Sequence, residues 1–153
     1  MDDLLNDQIS QQISEFFQQL TGRVKILVFT KGTTEESHQI TAQLVGEVAA
    51  LSDKLSHLVV DVDAKPALAE QYGVLEKTPA IVVAALEDNP GGGEKIVDLG
   101  IRLLGMPAGH EFGVLIQDIM MVSTRNIGLS EEMIAYVKAL KEPLHLEVFA
   151  TAT

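Results

Sequence analysis

The sequence predicts an α/β fold in which a central mixed four-stranded sheet is flanked by helices, and three stretches lead to that prediction. Val24 to Phe29 is an apolar run interrupted only by Lys25, the pattern of a short strand covered on both faces and therefore central. After a polar turn, Thr30 to Thr34, apolar residues recur at Ile40, Leu44, Val45, Val48 and Leu51 with helical spacing. A second apolar run, His57 to Val62, supplies a strand that this crossover helix would lay parallel to the first. In such a unit the loop leaving the central strand meets the helix N-terminus, where unpaired amides and the helix dipole stabilise an anion or a thiolate. Here that place is held by Thr34-Glu35-Glu36-Ser37-His38, and the chain contains no cysteine.

The remaining elements follow in order. Asp3 to Leu20 carries Leu4, Leu5, Ile9, Ile13, Phe16, Phe17 and Leu20 near a 3.6-residue period, an extra N-terminal amphipathic helix ending at Gly22. From Asp63 to Tyr72, Pro66 suits the first turn of a short helix and Gly73 its end. Thr78-Pro79 leads into an apolar strand, Ile81 to Leu86, and Lys95 to Gly100 returns as its hairpin partner across the turn Glu87 to Gly93. Gly105-Met106-Pro107 opens a helix from about Ala108 to Val122. After a linker at 123–129, Ser130-Glu131-Glu132 reads as a capped helix start with acids that suit the dipole. That helix runs to Leu140, and Leu144 to Phe149 alternates as one more strand. A helix and a strand do not bury their own apolar faces, so this end is expected to pack on the first unit, on another copy or on further sequence.

Composition narrows the function classes. The chain has 153 residues, 46% hydrophobic and only 5% aromatic, enough for one ordinary domain with a core of Val, Leu, Ile and Ala. Eleven Lys and Arg against 22 Asp and Glu give a formal charge of -11, which repels phosphate backbones and anionic lipid. No nucleic acid or membrane partner is expected. No apolar run approaches the ~18 residues of a membrane span, and the opening MDDLLNDQ lacks the basic flank of a signal peptide. The expectation is a soluble, cytoplasmic protein. Without cysteine there is no disulfide, no thiolate nucleophile and no cysteine-ligated metal.

The strand-helix-strand unit, the Thr-Pro strand, the hairpin and the final helix together resemble the thioredoxin fold. Within it, VKILVF, AALSDKL at Ala49 to Leu55 and IRLLGMPAGHEFGVLIQDIM at Ile101 to Met120 look like the amino-terminal unit of the glutaredoxin-like protein disulfide oxidoreductases. They are also similar to the amino-terminal region of the flavoprotein component of alkyl hydroperoxide reductase. Both families carry two thioredoxin-fold units in tandem. Where the oxidoreductases have CxxC in this unit, an ungapped reading places Glu35-Glu36-Ser37-His38, so both cysteine positions fail, at Glu35 and His38. That brings the chain nearer the reductase flavoprotein, whose second unit keeps the pair. The resemblance implies a cysteine-less thioredoxin-like unit at 1–122, the linker, and at 130–153 the opening helix and strand of a second, incomplete unit.

Each candidate site has a plainer reading beside it. Thr78-Pro79 matches the cis-proline turn, which in relatives offers backbone groups to an extended peptide; without a sulfur beside it, the turn is expected mainly to set the angle at which the strand joins the sheet. Glu35 and His38, three apart in a helix's first turn, suggest an acid–base pair, though an exposed acidic turn on the helix dipole is preferred. Asp61 and Asp63 share a strand face but read as a solvated edge, Asn89 to Gly93 as a hairpin tip and not a phosphate cradle. In relatives the stretch holding Gly105, Pro107, Gly109 and His110 is a structural turn, and the resemblance implies the same role here, with Glu111 beside them. His57 and His145 lie in strands without partners at ligand spacing, and Met106, Met120, Met121 and Met133 read as core or seam filler. No metal and no cofactor is implied. The function expected is that of a redox-inactive unit of a thiol–disulfide oxidoreductase or alkyl hydroperoxide reductase-type protein, a scaffold for a CxxC-bearing second unit. The alternative is a free-standing, non-enzymatic interaction or dimerisation module, a homodimer joined through the terminal strand.

Overall fold

A computed structural model describes residues 3–32 and 35–149. The elements run α1 (Asp7–Phe17), β1 (Arg23–Thr30), α2 (Glu36–Ala49), β2 (Leu55–Asp61), α3 (Pro66–Gln71), β3 (Ala80–Asp88), β4 (Glu94–Leu104), α4 (His110–Thr124) and α5 (Glu131–Ala139). The four strands form one sheet in the order β2-β1-β3-β4. β2 pairs parallel with β1, while β3 pairs antiparallel with both β1 and β4. The sheet is therefore mixed and flanked by helices, as expected.

The central strand is buried on both faces because its apolar run alternates between two cores. Val24, Ile26 and Val28 pack with residues of α1, α2 and α4, including Phe17, Val45, Val48, Leu115 and Ile119. Leu27 and Phe29 turn to the opposite face and pack with Val60, Ala69, Tyr72 and Val82. On that face the Phe29 and Tyr72 rings lie 5.6 Å apart, and the Arg102 guanidinium sits 5.3 Å above the Tyr72 ring. Arg102 also donates from Nε to the Tyr72 carbonyl and bidentately to the Asp98 carboxylate. The guanidinium holds Asp98 below the usual carboxylate range against its partial burial. Burial, with the Asp98 charge beside it, pushes the Tyr72 phenol up.

Two long-range clamps close the body. Glu47 on α2 accepts the amides of Leu4 and Leu5, tying down the segment before α1. Ser123, at the end of α4, donates its hydroxyl to the Gly22 carbonyl at 2.6 Å and accepts the amides of Thr21 and Gly22. Its own carbonyl takes the Gly22 amide and the Thr21 hydroxyl. A Cβ on Gly22 would meet that carbonyl oxygen at 2.9 Å, so the contact needs glycine.

Several expectations are corrected. Ser123, expected in the linker, lies in α4, which runs on to Thr124 before Arg125 turns left-handed. β4 continues past Gly100 to Leu104, because Leu99 and Gly100 form a bulge between the pairs Val83–Ile101 and Ala84–Asp98 and the ladder resumes beyond it. Leu144 to Phe149 is not formed as a strand: an extended segment becomes one only by pairing. His145 is therefore not in a strand, and its ring contacts the Glu147 carboxylate at 2.8 Å. Met106 and Met133 are exposed and do not fill the core. The residues Ala150 to Thr153 lie outside those described.

Candidate functional site

The register assembles one end of the sheet residue by residue. Thr30 closes β1 opposite Asp61, the last residue of β2. Phe29 pairs with Ala80, so Pro79 lies just beyond it, on the flank of Thr30 away from Asp61. The Thr78–Pro79 peptide is cis, Pro79 is buried and Thr78 half-buried. Ala80 in turn pairs with Leu104, and the Gly105 amide donates to the Pro79 carbonyl at 2.7 Å. Gly105 makes that bond with φ at 94°, in the region where side chains are strained. Asp61, Thr30, Pro79 and Gly105 thus form a row across the carboxyl end of β1, and the turn Gly105 to His110 is joined to the proline turn by a hydrogen bond.

Above the row stands the loop into α2. Glu35 is the residue before the helix and offers it no side-chain cap; Thr33 and Thr34 lie outside the described residues. His38 differs from expectation, since it is only 3% exposed. Its Nδ1 lies 3.0 Å from the Lys31 carbonyl and 3.3 Å from the Lys31 amide, so it can donate to one or accept from the other according to tautomer. Nε2 is 3.7 Å from the exposed Glu35 carboxylate. The imidazole is thus built into the loop, bracing Lys31 against the first turn of α2. A hollow of about 140 Å³ lined by Thr30, Gly32, His38, Gln39, Ala42 and Val59 opens beside it.

The other candidates do not join this row as chemistry. Asp61 accepts the Asp63 amide at 2.9 Å, and Asp63 lies beyond the strand end, so the pair makes a local turn and shares no strand face. Asn89 to Gly93 is a hairpin tip closed by the Asn89 amide on the Gly93 carbonyl. His57 is exposed on β2, and His110 opens α4. Among the described residues no group of three His, Asp or Glu side chains is placed to hold a metal ion. No helix among them is long and apolar enough to cross a membrane. Sequence reasoning did not single out Glu47, Ser123 or Arg102, whose bonds join distant segments; a serine at a helix end and an arginine within an apolar strand were the available signals.

No protein-family model matches the chain. It is similar to the alkyl hydroperoxide reductase AhpF of Staphylococcus epidermidis, with 27% identity over 150 residues covering 98% of this chain and 25% of that protein. The AhpF of Staphylococcus aureus is 28% identical over the same span and coverage. The chain therefore spans about a quarter of the length of these relatives. Among solved structures, the NTD_N/C domain of the alkylhydroperoxide reductase AhpF of Enterococcus faecalis superposes with a TM-score of 0.73 at 26% identity, over 90% of this chain and 62% of that one. A protein disulfide oxidoreductase of Aeropyrum pernix shares the fold with a TM-score of 0.73 at 21% identity, over 92% of this chain and 56% of that one. The chain is homologous to the amino-terminal region of the AhpF proteins and has a thioredoxin-like fold.

Proposed function

We propose that this chain, as a homologue of the amino-terminal region of the alkyl hydroperoxide reductase AhpF, is a redox-inactive thioredoxin-fold unit that serves as scaffold for a CxxC-bearing second unit. One observation carries the reading: the row Thr30, Pro79, Gly105 is in place, while the loop above it holds Glu35 and His38 in a chain without a single thiol. Thiol–disulfide exchange proceeds by attack of a thiolate, and neither a buried, backbone-bound imidazole nor a carboxylate supplies one. The Thr78–Pro79 turn then keeps a structural task, setting the start of β3 against β1. Helix α5, which buries none of its residues, and the alternating segment after it are the opening of the second unit. The setting is cytoplasmic and the partner is protein.

Reduction of insulin by dithiothreitol, followed by turbidity, is expected to run no faster with this chain than without it; an accelerated rate would overturn the redox-inactive reading. The scaffold reading is tested by reading the parent frame past the codon for Thr153. A Cys-x-x-Cys shortly beyond supports it, and a stop codon removes it. A second reading, an interaction module, is favoured by the exposure of Leu144, Leu146, Val148 and Phe149, apolar side chains of the kind that an interface covers.

A further inference from the structure

The two edges of the sheet meet solvent differently. β4, at one end of the strand order, carries the charged residues Glu94, Lys95, Asp98 and Arg102 and the bulge at Leu99 and Gly100, devices that discourage a further strand. β2, at the other end, has an unbroken register and no charged residue from Leu55 to Val60. Its backbone also has groups to spare. The Val24 amide donates to the Lys54 carbonyl and the Val62 amide to the Thr30 carbonyl, so the even-numbered residues of β2 address β1 and the odd-numbered ones face outward. At the two ends those outward groups are used locally: the Leu55 amide donates to the Ser52 carbonyl, and the Asp61 carbonyl accepts from the Lys65 amide. Between them, among the described residues, the amides and carbonyls of His57 and Val59 have no protein partner.

The hollow of about 140 Å³ stands beside this bare stretch, between Val59 and the α2 residues His38, Gln39 and Ala42. Val59 is 44% exposed. Farther down the strand the His57 ring rests against α2 at Gly46, 3.6 Å from where a Cβ would stand. At the carboxyl end of β2 the exposed residues Glu35, Glu36, Asp61 and Asp63 outnumber Lys31 and Lys65. We infer that the outer edge of β2 from His57 to Asp61 receives an extended segment of a partner protein as an added strand, with an aliphatic side chain in the hollow and a lysine or arginine beside Asp61 and Glu35. Main-chain bonds to His57 and Val59 hold the segment whatever its sequence, while the hollow and the carboxylates select among segments. Ile127, where the chain leaves the body, lines a hollow with Leu99 and Ile101 of β4. The exit therefore lies at the opposite edge of the sheet, and β2 is available in either reading of the function.

Fluorescence anisotropy of the full chain tests this with a labelled, end-capped peptide of alternating threonine and valine carrying lysine at both ends, which suits either strand direction. Saturable binding is expected, about tenfold weaker when glutamate replaces both lysines. Val59→Lys, which sets a charge at the hollow, weakens binding by roughly tenfold or more, and Asp61→Asn by about threefold. Both side chains are exposed, so the circular dichroism stays that of the wild type. Leu99→Asp, on the other edge, leaves binding unchanged. In hydrogen exchange the peptide slows the amides of His57 and Val59, whereas that of Leu58, which faces β1, changes little. No saturation up to about 1 mM, binding that Val59→Lys leaves intact, or protection at β4 in place of β2 overturns the inference. So does a dimer whose His57 and Val59 amides are protected before peptide is added, since the edge then belongs to a second copy.

Discussion

The body from Asp3 to Thr124 and the segment from Arg125 to Phe149 carry similar apolar patterns, yet only the body buries them. In α4, Leu115, Ile116, Ile119 and Val122 are buried; in α5, Met133, Tyr136 and Val137 stay exposed, as does Leu140 just after it. α5 even has the better N-cap, since Ser130 accepts the Met133 amide, whereas Gly109 gives α4 no side-chain cap. Local signals therefore start a helix in both places. What differs is the surface each finds: α4 lies against β1, β3 and β4. Amphipathicity records that a face is to be covered and carries no information on what covers it.

The contrast can be broken by substitution, beginning with the core. Ile119→Ala removes a side chain with no exposed surface and is expected to lower unfolding free energy by about 3 kcal/mol, read from the urea midpoint. Next comes the Gly22 contact. Gly22→Ala drives a methyl group against the Ser123 carbonyl and should cost about 2 kcal/mol, and Ser123→Ala about 1–2 kcal/mol through loss of the hydroxyl that serves Thr21 and Gly22.

The Glu47 clamp gives a smaller effect with a pH signature. Partial burial works against ionisation of Glu47, but the amides of Leu4 and Leu5 and the Gln43 side chain outweigh it and hold the carboxyl below its ordinary value of 4.5. Its native pKa is depressed, so its stabilisation is fully present above that ordinary value and is lost as the pH falls through the native one. Glu47→Gln should cost about 1 kcal/mol at neutral pH, and urea midpoints of the two proteins should converge in acid. At the bottom of the scale, Val137→Ser in α5 should shift the midpoint of dilute protein by less than about 0.5 kcal/mol. A larger loss would show that α5 packs on the body.

The same contrast explains what the sequence disclosed. The order of the first eight elements and the central position of β1 were legible because an apolar run and a helical period are local properties. The Thr78–Pro79 turn and the Gly105 turn were legible only through the resemblance to the thioredoxin fold. The Ser123 and Glu47 clamps were not, since they join residues 102 and 42 positions apart and leave no periodic trace. Gly100 ended the expected strand because glycine ordinarily breaks one, whereas here it sits in a bulge the ladder survives. At the site, a contact between Glu35 and His38 was the less favoured reading beside an exposed acidic turn, and the burial of the imidazole, which follows from its bonds to Lys31, was not legible. Leu144 to Phe149 was over-read, because alternation reports a face in need of a partner.

The Ser123 clamp also gives the molecule two poles. It fixes the end of α4 beside Gly22, at the amino end of β1, while Thr30, Pro79 and Gly105 lie at the carboxyl end, roughly 25 Å away for a strand of this length. Whatever follows Arg125 thus departs from the pole farthest from that row. A domain attached there hangs like cargo from a mooring, and reaches the opposite end only if its tether or its own bulk spans the length of β1.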